Sequence, residues 1–335
     1  MRMDEMIRSF PHQINDQYKT LKSLKFDLDR FSEIENIVIA GMGGSAISGD
    51  IAKMIAKNDL SIPITVVRDY SIPQWTDERT LFILSSYSGN TEETISCFKA
   101  AILKSKKIIS ISTGGELESL SHENDVQIVG LPSKYQPRAA LGFSLITLLS
   151  VLSKINLVSL EFLGSVVKAA DTLNDFYDKY CAEGLLAESI AKEIKDGVIA
   201  IYGVESSTDS IASRFRAQIA ENSKMLSTFN VIPEMNHNEI EAWNEFQFMD
   251  MKKIAIWIHD EDDHPRISDR IKITSKLLAE IDIKNIFIKC SGDNYQERCL
   301  KLLFLNDWIS YYLAKANNID PIPVNRIMNL KSKLS

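Results

Sequence analysis

The segment NIVIAGMGGSA, residues 36–46, decides the fold of this chain. Its first five residues form a short run rich in β-branched side chains, which is typical of a buried parallel strand. The glycines that follow let the backbone turn sharply and present its N–H groups at the start of a helix. The segment therefore predicts a strand, a glycine-rich turn and a helix whose first turn can bind an anion.

Four further apolar runs follow, at intervals that leave room for helices. These predicted strands are Ile64–Val67, Leu81–Ser85, Ile108–Ile111 and Val126–Val129. Strands that alternate with helical segments indicate a parallel sheet joined by crossover helices. Such a doubly wound α/β sheet binds ligands beyond the carboxyl ends of its strands.

The second half of the chain repeats this plan. After a long helical stretch, residues 141–194, strands are predicted again at Gly197–Tyr202, Lys253–Ile258 and Asn285–Lys289. We therefore predict two α/β domains, one over residues 1–155 with the anion-binding loops and one over residues 156–335. The second domain ends in a short amphipathic tail helix.

A second anion-binding loop follows the third predicted strand. The segment SSYSGNTEE, residues 85–93, places several small hydroxyl side chains at another helix start. Such a run can grip a phosphate monoester. Ser88 or Asn90 is alternatively the N-cap of that helix, with Glu93 completing a capping box.

The first loop also fits a different class of protein. Gly41, Gly43 and Ala46 satisfy the dinucleotide pattern G-x-G-x-x-G/A, and Asp69 after the second strand is placed to accept a ribose hydroxyl. A nicotinamide-dependent oxidoreductase therefore stays open as an alternative. A Walker-type ATP site is not predicted, because neither loop carries a lysine directly after its last glycine.

Composition excludes several other classes. The 335 residues carry a net charge of −7, whereas nucleic acids and anionic membranes require clustered positive charge. The four cysteines form no C-x-x-C pair, and no apolar stretch approaches the length of a membrane span. We expect a cytoplasmic protein with reduced thiols, and no nucleic-acid or membrane partner.

Three motifs carry a resemblance to a known family. GMGGSAISGD at 41–50, QPRAALGFS at 136–144 and PEMNHNEIEAW at 233–243 resemble the signatures of the bifunctional phosphoglucose/phosphomannose isomerases. SSYSGNTEET resembles the phosphosugar loop of the wider sugar isomerase (SIS) superfamily. The resemblance implies two SIS-type doubly wound parallel-sheet domains with flanking helices, and a homodimer.

The resemblance also implies a set of site residues. Those that fall on the phosphosugar-binding positions are Gly44, Ser45, Ser86, Ser88 and Thr91. Those that fall on the catalytic positions are Arg138, Glu221, His237 and Lys331. In this interpretation Glu221 is the base, His237 opens the sugar ring, and no metal or redox cofactor takes part. Whether His237 serves its own subunit's site or that of the neighbouring subunit stays open.

These residue types suit aldose–ketose isomerisation by proton transfer. The reaction needs a base at C2, a group that assists ring opening, and positive charge near the enediolate oxygens. Glucose 6-phosphate and mannose 6-phosphate differ only at C2, so one cis-enediol leads from both to fructose 6-phosphate. One position departs from the family, which often has threonine where Ile322 follows Asp320-Pro321.

Two further interpretations stand beside that of an isomerase: a sugar-phosphate sensor and a metal site. A sugar-phosphate sensor would keep the phosphate loops without the acid–base set. His259 and His264 flank an acidic run that is reminiscent of a metal site, but a solvated acidic surface loop is the simpler prediction.

Overall fold

The computed structural model describes residues 1–243 and 251–334. It divides into two compact units: residues 8–171 with Met1, and residues 2–7 with 172–335. Helix α1 (Met3–Arg8) therefore contributes mainly to the second unit. The division after Asp171 lies beyond the sequence-based boundary at 155, because the helix Leu160–Asp171 groups with the first unit.

The first unit is a five-stranded parallel sheet in the order β2-β1-β3-β4-β5. Its strands are β1 (Asn36–Ala40), β2 (Ile64–Val67), β3 (Thr80–Ser86), β4 (Ile108–Ser112) and β5 (Gln127–Gly130). Its helices are α2 (Phe10–Leu21), α3 (Gly43–Ile55), α4 (Glu92–Ala101), α5 (Gly115–Glu123), α6 (Leu141–Lys154) and α7 (Leu160–Asp171).

The central strands of this sheet are buried on both faces. All seven residues of β3 are buried, as the uninterrupted apolar run predicted. One core cluster joins side chains of β1 and β3, among them Val38 and Phe82, to Phe98 of α4 and Leu117 of α5. Helix α6 is buried along almost its whole length, which explains its apolar composition on every side.

The second unit contains a four-stranded parallel sheet in the order β7-β6-β8-β9. Its strands are β6 (Gly197–Val204), β7 (Ser227–Ile232), β8 (Lys252–Ile258) and β9 (Lys284–Ile288). Its helices are α8 (Leu173–Phe176), α9 (Leu186–Ile194), α10 (Asp209–Gln218), α11 (Glu239–Ala242), α12 (Pro265–Ala279), α13 (Tyr295–Ala316) and α14 (Asn325–Leu334).

Both sheets confirm the predicted α/β class with parallel strands and flanking helices. Strand β7 was not predicted from the sequence. It is an edge strand whose residues are mostly half exposed, and polar Ser227, Thr228 and Asn230 break its apolar pattern. The tail helix α14 was predicted, and all ten of its residues are exposed.

In the part of the chain that the structure describes, no helix combines the length and apolar character needed to cross a bilayer. The four cysteines, Cys97, Cys181, Cys290 and Cys299, are buried and unbridged.

Candidate active site

The two predicted anion-binding loops lie side by side in the first unit. Strands β1 and β3 are hydrogen-bonded neighbours, although β2 lies between them in sequence. The connection therefore changes direction between β1 and β3, and this switch point is where ligands bind in doubly wound sheets. The loops that follow β1 and β3 open at this point.

Close backbone contacts shape the first loop. A Cβ atom on Gly41 would lie 2.7 Å from the carbonyl oxygen of Ser85, and one on Gly44 would lie 2.8 Å from that of Pro137. Ser45 is buried, and its Oγ accepts a 3.2 Å hydrogen bond from the backbone N–H of Tyr87. The first loop is therefore joined directly to the second.

The second loop is held by its own hydroxyl groups. The Oγ of Ser86 lies 2.8 Å from Oγ1 of Thr91 and accepts a 3.1 Å hydrogen bond from the N–H of Gly89. Gly89 has a φ of +74°, and a Cβ there would overlap the Gly114 carbonyl. Only glycine fits, because the loop packs tightly against Gly114 at the start of α5.

The capping alternative for this loop is wrong. The N-cap of α4 is Thr91, not Ser88 or Asn90. Asn90 Oδ1 accepts a 2.9 Å hydrogen bond from the N–H of Glu116 at the start of α5. The exposed hydroxyl of Ser88 accepts a 3.3 Å hydrogen bond from Asn90 N–H.

Arg138 lies beside the first loop. It belongs to a 3₁₀ turn, Pro137–Ala139, and the Gly44 contact with the Pro137 carbonyl brings this turn against the start of α3. Arg138 is 4% exposed, and its guanidinium contacts Gln136 at 3.4 Å. The first unit thus brings Gly44, Ser45, Ser86, Thr91 and Arg138 to one edge of its sheet.

Glu221 lies in a turn of unusual geometry in the second unit. A π-helical turn, Ile219–Ser223, continues helix α10 and ends at Lys224, which has a φ of 56°. Glu221 lines a cavity of about 690 Å³ together with Ala220, residues 224–226 and residues 323–327. The cavity wall is thus shared between the end of this turn and the beginning of the tail.

Lys331 lies on the same tail as this cavity. Residues 325–327, which line the cavity, form the first turn of α14, and Lys331 follows four residues after Ile327. Lys331 is itself exposed and is not among the cavity-lining residues. Ile322 precedes the lining segment, and its N–H donates a 2.9 Å hydrogen bond to Asp320 Oδ1.

His237 lies at the other end of the second unit from Glu221. Glu221 comes just before β7, at the amino end of this strand, whereas His237 ends a 3₁₀ turn, Glu234–His237, just after its carboxyl end. Strand β7 has six residues and spans roughly 20 Å. The second unit therefore does not bring the two predicted catalytic residues together.

Sequence reasoning missed three polar residues of the Glu221 cavity. Lys224, Asn325 and Arg326 line it. Lys224 Nζ also donates a hydrogen bond to the Glu221 carbonyl oxygen. Lys224 could have been suspected from its position three residues after Glu221. Helical periodicity, however, does not predict the π turn that directs both residues to one cavity.

The acidic run between His259 and His264 is structural. Asp260 is 3% exposed and accepts hydrogen bonds of 2.7 and 2.9 Å from Arg298, so the prediction of a solvated loop is wrong at this residue. His264 Nδ1 accepts a 3.1 Å hydrogen bond from the N–H of Arg266 and caps α12. Among residues 1–243 and 251–334, no three metal-ligating side chains converge.

Comparison with known proteins defines the class. A family model described as the bacterial phospho-glucose isomerase C-terminal SIS domain matches residues 185–334. The solved C-terminal domain of glucosamine-fructose-6-phosphate aminotransferase from Francisella tularensis has the same fold, with a TM-score of 0.73 at 13% identity over 95% of this chain and 96% of that one. The two units and their loops thus define a protein of the SIS class.

Full-length relatives narrow the assignment. A bifunctional phosphoglucose/phosphomannose isomerase of Caldicellulosiruptor bescii is 36% identical over 99% of both chains. Another, from Aquifex aeolicus, is 35% identical over 90% of both chains. This chain belongs to the bifunctional phosphoglucose/phosphomannose isomerase family, as its three motifs indicated, and the prediction of an aldose–ketose isomerase is confirmed at that level.

Proposed function

We propose that this protein interconverts glucose 6-phosphate and mannose 6-phosphate with fructose 6-phosphate, by metal-independent proton transfer through a cis-enediol. Family membership supports the choice of substrates. The loops of the first unit support a phosphate monoester ligand, because hydroxyl groups and helix N-termini suit a dianion. No redox cofactor is required.

The proposal gives the first unit the task of holding the phosphate. Gly44, Ser45, Ser86, Ser88 and Thr91 offer backbone N–H groups and hydroxyls around the β1–β3 switch point. Gly44 has no side chain, and its close contact with Pro137 leaves no room for one. The start of α3 is therefore not covered by a side chain at position 44. Arg138 adds a buried positive charge beside this loop, which favours an anionic ligand or intermediate.

Glu221 is the proposed base. Its carboxylate takes the proton from C2 of the aldose, the C2–H electron pair forms the C1–C2 double bond, and the C1=O1 π electrons move to O1, which carries the negative charge of the enediolate. A proton then passes from the O2 hydroxyl to O1, the Glu221 carboxyl returns its proton to C1, and the C2=O2 double bond of the ketose forms. Lys331 and Arg138 are the proposed cations that stabilise the negative charge on the enediolate oxygens.

The observation that carries this proposal is the cavity at Glu221. A carboxylate at a π-helical turn faces a wall that is largely apolar, from Ala220, Met225, Leu226 and Ile327, with Lys224 and Arg326 beside it. A general base needs both access to a ligand and partial exclusion of water. This geometry offers both.

His237 is the proposed ring-opening residue, and we assign it to the site of a second copy of the chain. The assignment rests on the separation of Glu221 and His237 along β7 and on the homodimer that the family resemblance implies. Exposure of His237 at the end of its 3₁₀ turn leaves the imidazole accessible to a neighbouring subunit.

The test is isomerisation of fructose 6-phosphate by chelator-treated protein in deuterated water, followed by NMR. The proposal requires both aldose phosphates, solvent deuterium at C2 and loss of turnover in Glu221→Gln. Binding without turnover would favour the sugar-phosphate sensor. Saturable NADH binding would favour the oxidoreductase, and activity lost with the chelator and restored by a metal would contradict the metal-independent mechanism.

A further inference from the structure

The backbone that carries Glu221 departs from α-helical geometry. Helix α10 widens into the π turn Ile219–Ser223 and stops at Lys224 in the left-handed region. Single π turns inside helices are rare and occur frequently at functional sites. Because an α-helical continuation would rotate Glu221 to another direction, the contacts that favour the π turn also set the direction of this carboxylate.

Buried polar contacts with α13 fix the residues that follow Glu221. Asn222 Nδ2 donates a 2.9 Å hydrogen bond to Ser310 Oγ, and Ser223 Oγ donates a 2.7 Å hydrogen bond to the Ser310 carbonyl oxygen. Ser310 Oγ in turn donates to the Asp307 carbonyl oxygen at 2.7 Å. The side chains that form these bonds are fully buried, namely those of Asn222, Ser223 and Ser310.

A second set of contacts fixes the helical turn before Glu221. Gln218 Nε2 and Arg214 Nη2 each donate a 2.7 Å hydrogen bond to the carboxylate of Asp307. Burial raises the pKa of Asp307, and the guanidinium of Arg214 acts against that rise. Glu221 therefore lies between two positions, 218 and 222, that are both tied to one face of α13.

We infer that Asn222 and Ser310 are positioning residues, which hold the π turn so that the Glu221 carboxylate points into its cavity. Neither is assigned to contact substrate. The inference rests on the proposed role of Glu221 in proton transfer. It predicts an effect on the rate of that transfer and little effect on substrate binding, since a displacement of the reacting group by about 1 Å can cost about 100-fold in rate.

The experiment compares Asn222→Ala and Ser310→Ala with the wild type in the full-length protein. The readouts are kcat and KM for glucose 6-phosphate, the kinetic isotope effect with glucose 6-phosphate deuterated at C2, and urea unfolding. We expect kcat to fall about 10- to 100-fold with KM within about twofold, and the isotope effect to rise because proton transfer limits turnover more strongly.

Asn285→Ala is the control for the loss of side-chain hydrogen bonds, here partly buried ones. Asn285 on β9 bonds to Trp257, Ser275 and Ile283, on the strand farthest from β7 in the same sheet. Its truncation lowers stability without changing the isotope effect. If Asn222→Ala and Ser310→Ala lose stability as this control does but keep the wild-type kcat and isotope effect, the inference is overturned.

A double variant separates positioning from other effects. In the Glu221→Gln background, Asn222→Ala should cause no further loss of residual turnover, because the residue that it positions is gone. A full additional loss would contradict the inference. A wild-type protein that does not isomerise, or a Glu221→Gln variant that keeps full activity, would instead overturn the proposed function or base, and the inference with it.

Discussion

The hydroxyl of Tyr202 donates a 2.9 Å hydrogen bond to Oε1 of Glu239 and accepts one of 2.8 Å from the indole N–H of Trp243. Glu239 Oε2 accepts a further 2.7 Å bond from Asn230. Burial and the adjacent carboxylate of Glu239 raise the pKa of Tyr202 far above its ordinary value, so the phenol stays a donor. These bonds tie the segment that follows His237 to strands β6 and β7.

Tyr202→Phe tests whether this anchor matters for ring opening. The change removes a donor to Glu239 and the hydroxyl that accepts from the buried Trp243 N–H, which costs about 1–3 kcal/mol in the free energy of unfolding. We expect turnover of fructose 6-phosphate to fall. Urea unfolding and steady-state kinetics measure both effects.

The control for this variant is a substrate that needs no ring opening. Without its C5 hydroxyl, 5-deoxyfructose 6-phosphate cannot close a furanose ring. Tyr202→Phe and His237→Ala should therefore lose much less activity on this compound than on fructose 6-phosphate. Equal losses on both compounds would rule out an effect through ring opening.

Gly44→Ala tests the phosphate loop. The new Cβ would lie 2.8 Å from the Pro137 carbonyl oxygen, so either the start of α3 or the turn that carries Arg138 must move. Overpacking of this kind costs about 1–3 kcal/mol. We expect kcat/KM for fructose 6-phosphate to fall by about tenfold or more, mainly through a higher KM, because the groups that we propose to bind the phosphate are displaced.

Gly164→Ala is the matched control. Gly164 lies on the exposed face of α7, and beyond the local backbone of this helix no described atom lies within 4 Å of its added Cβ. Alanine in a helix interior is favoured over glycine by about 0.5–1 kcal/mol. This variant should be slightly more stable and fully active. Normal kinetics in Gly44→Ala would show that the close contact does not shape the site.

Much of the fold could be predicted from apolar runs. Strands β1 and β2 begin and end where the sequence predicted, because their residues are mostly apolar and each strand ends where a glycine or a polar residue follows. Strand β7 escaped prediction for the opposite reason. Five of its six residues are partly or fully exposed, so its sequence carries polar residues that a loop would also carry.

The candidate site was only partly predictable for a related reason. Motifs predicted which residue types belong to it, and loops at one sheet edge bring Ser45, Ser86 and Arg138 together. The π turn of Glu221 depends on hydrogen bonds to Ser310, 89 residues farther along the chain, and no local pattern reports such a contact. The separation of Glu221 from His237 likewise depends on β7, the strand that was missed.

Acid unfolding should depend on Asp260. Burial is the largest single effect and raises the pKa of Asp260, but the hydrogen bonds and charge of Arg298, together with backbone N–H groups of Glu261 and Asp262, leave this pKa below its ordinary value. The native state then binds fewer protons than the unfolded chain, whose aspartates titrate near about 3.9. The stability that this pair contributes is thus present above about pH 4 and is lost as the pH falls through the lower, native pKa.

Asp260→Asn is the variant that checks this dependence. At pH 7 it should unfold about 3 kcal/mol more easily than the wild type, since Arg298 loses its buried partner, and the difference should shrink below about pH 4. Urea unfolding at a series of pH values measures it. Asp269→Asn removes an exposed ion pair with Arg266 and should change stability by less than about 1 kcal/mol throughout. A constant difference for Asp260→Asn at all pH values would contradict the assignment.

Mixing subunits tests whether Glu221 and His237 act in one site from two chains. The carboxyl and amino ends of β7 separate them within the second unit, so in a two-fold symmetric dimer each site would take Glu221 from one protomer and His237 from its partner. Glu221→Gln and His237→Ala homodimers should each be inactive. After denaturation and co-refolding in equal amounts, half of the dimers are mixed, and each mixed dimer has one intact site and one site with both changes. Activity should then return to about a quarter of the wild-type value.

Refolding each variant alone is the control, and size-exclusion chromatography checks that dimers have formed. If the mixture stays as inactive as its components while dimers form, both residues serve the same protomer's site, or His237 has no part in the reaction.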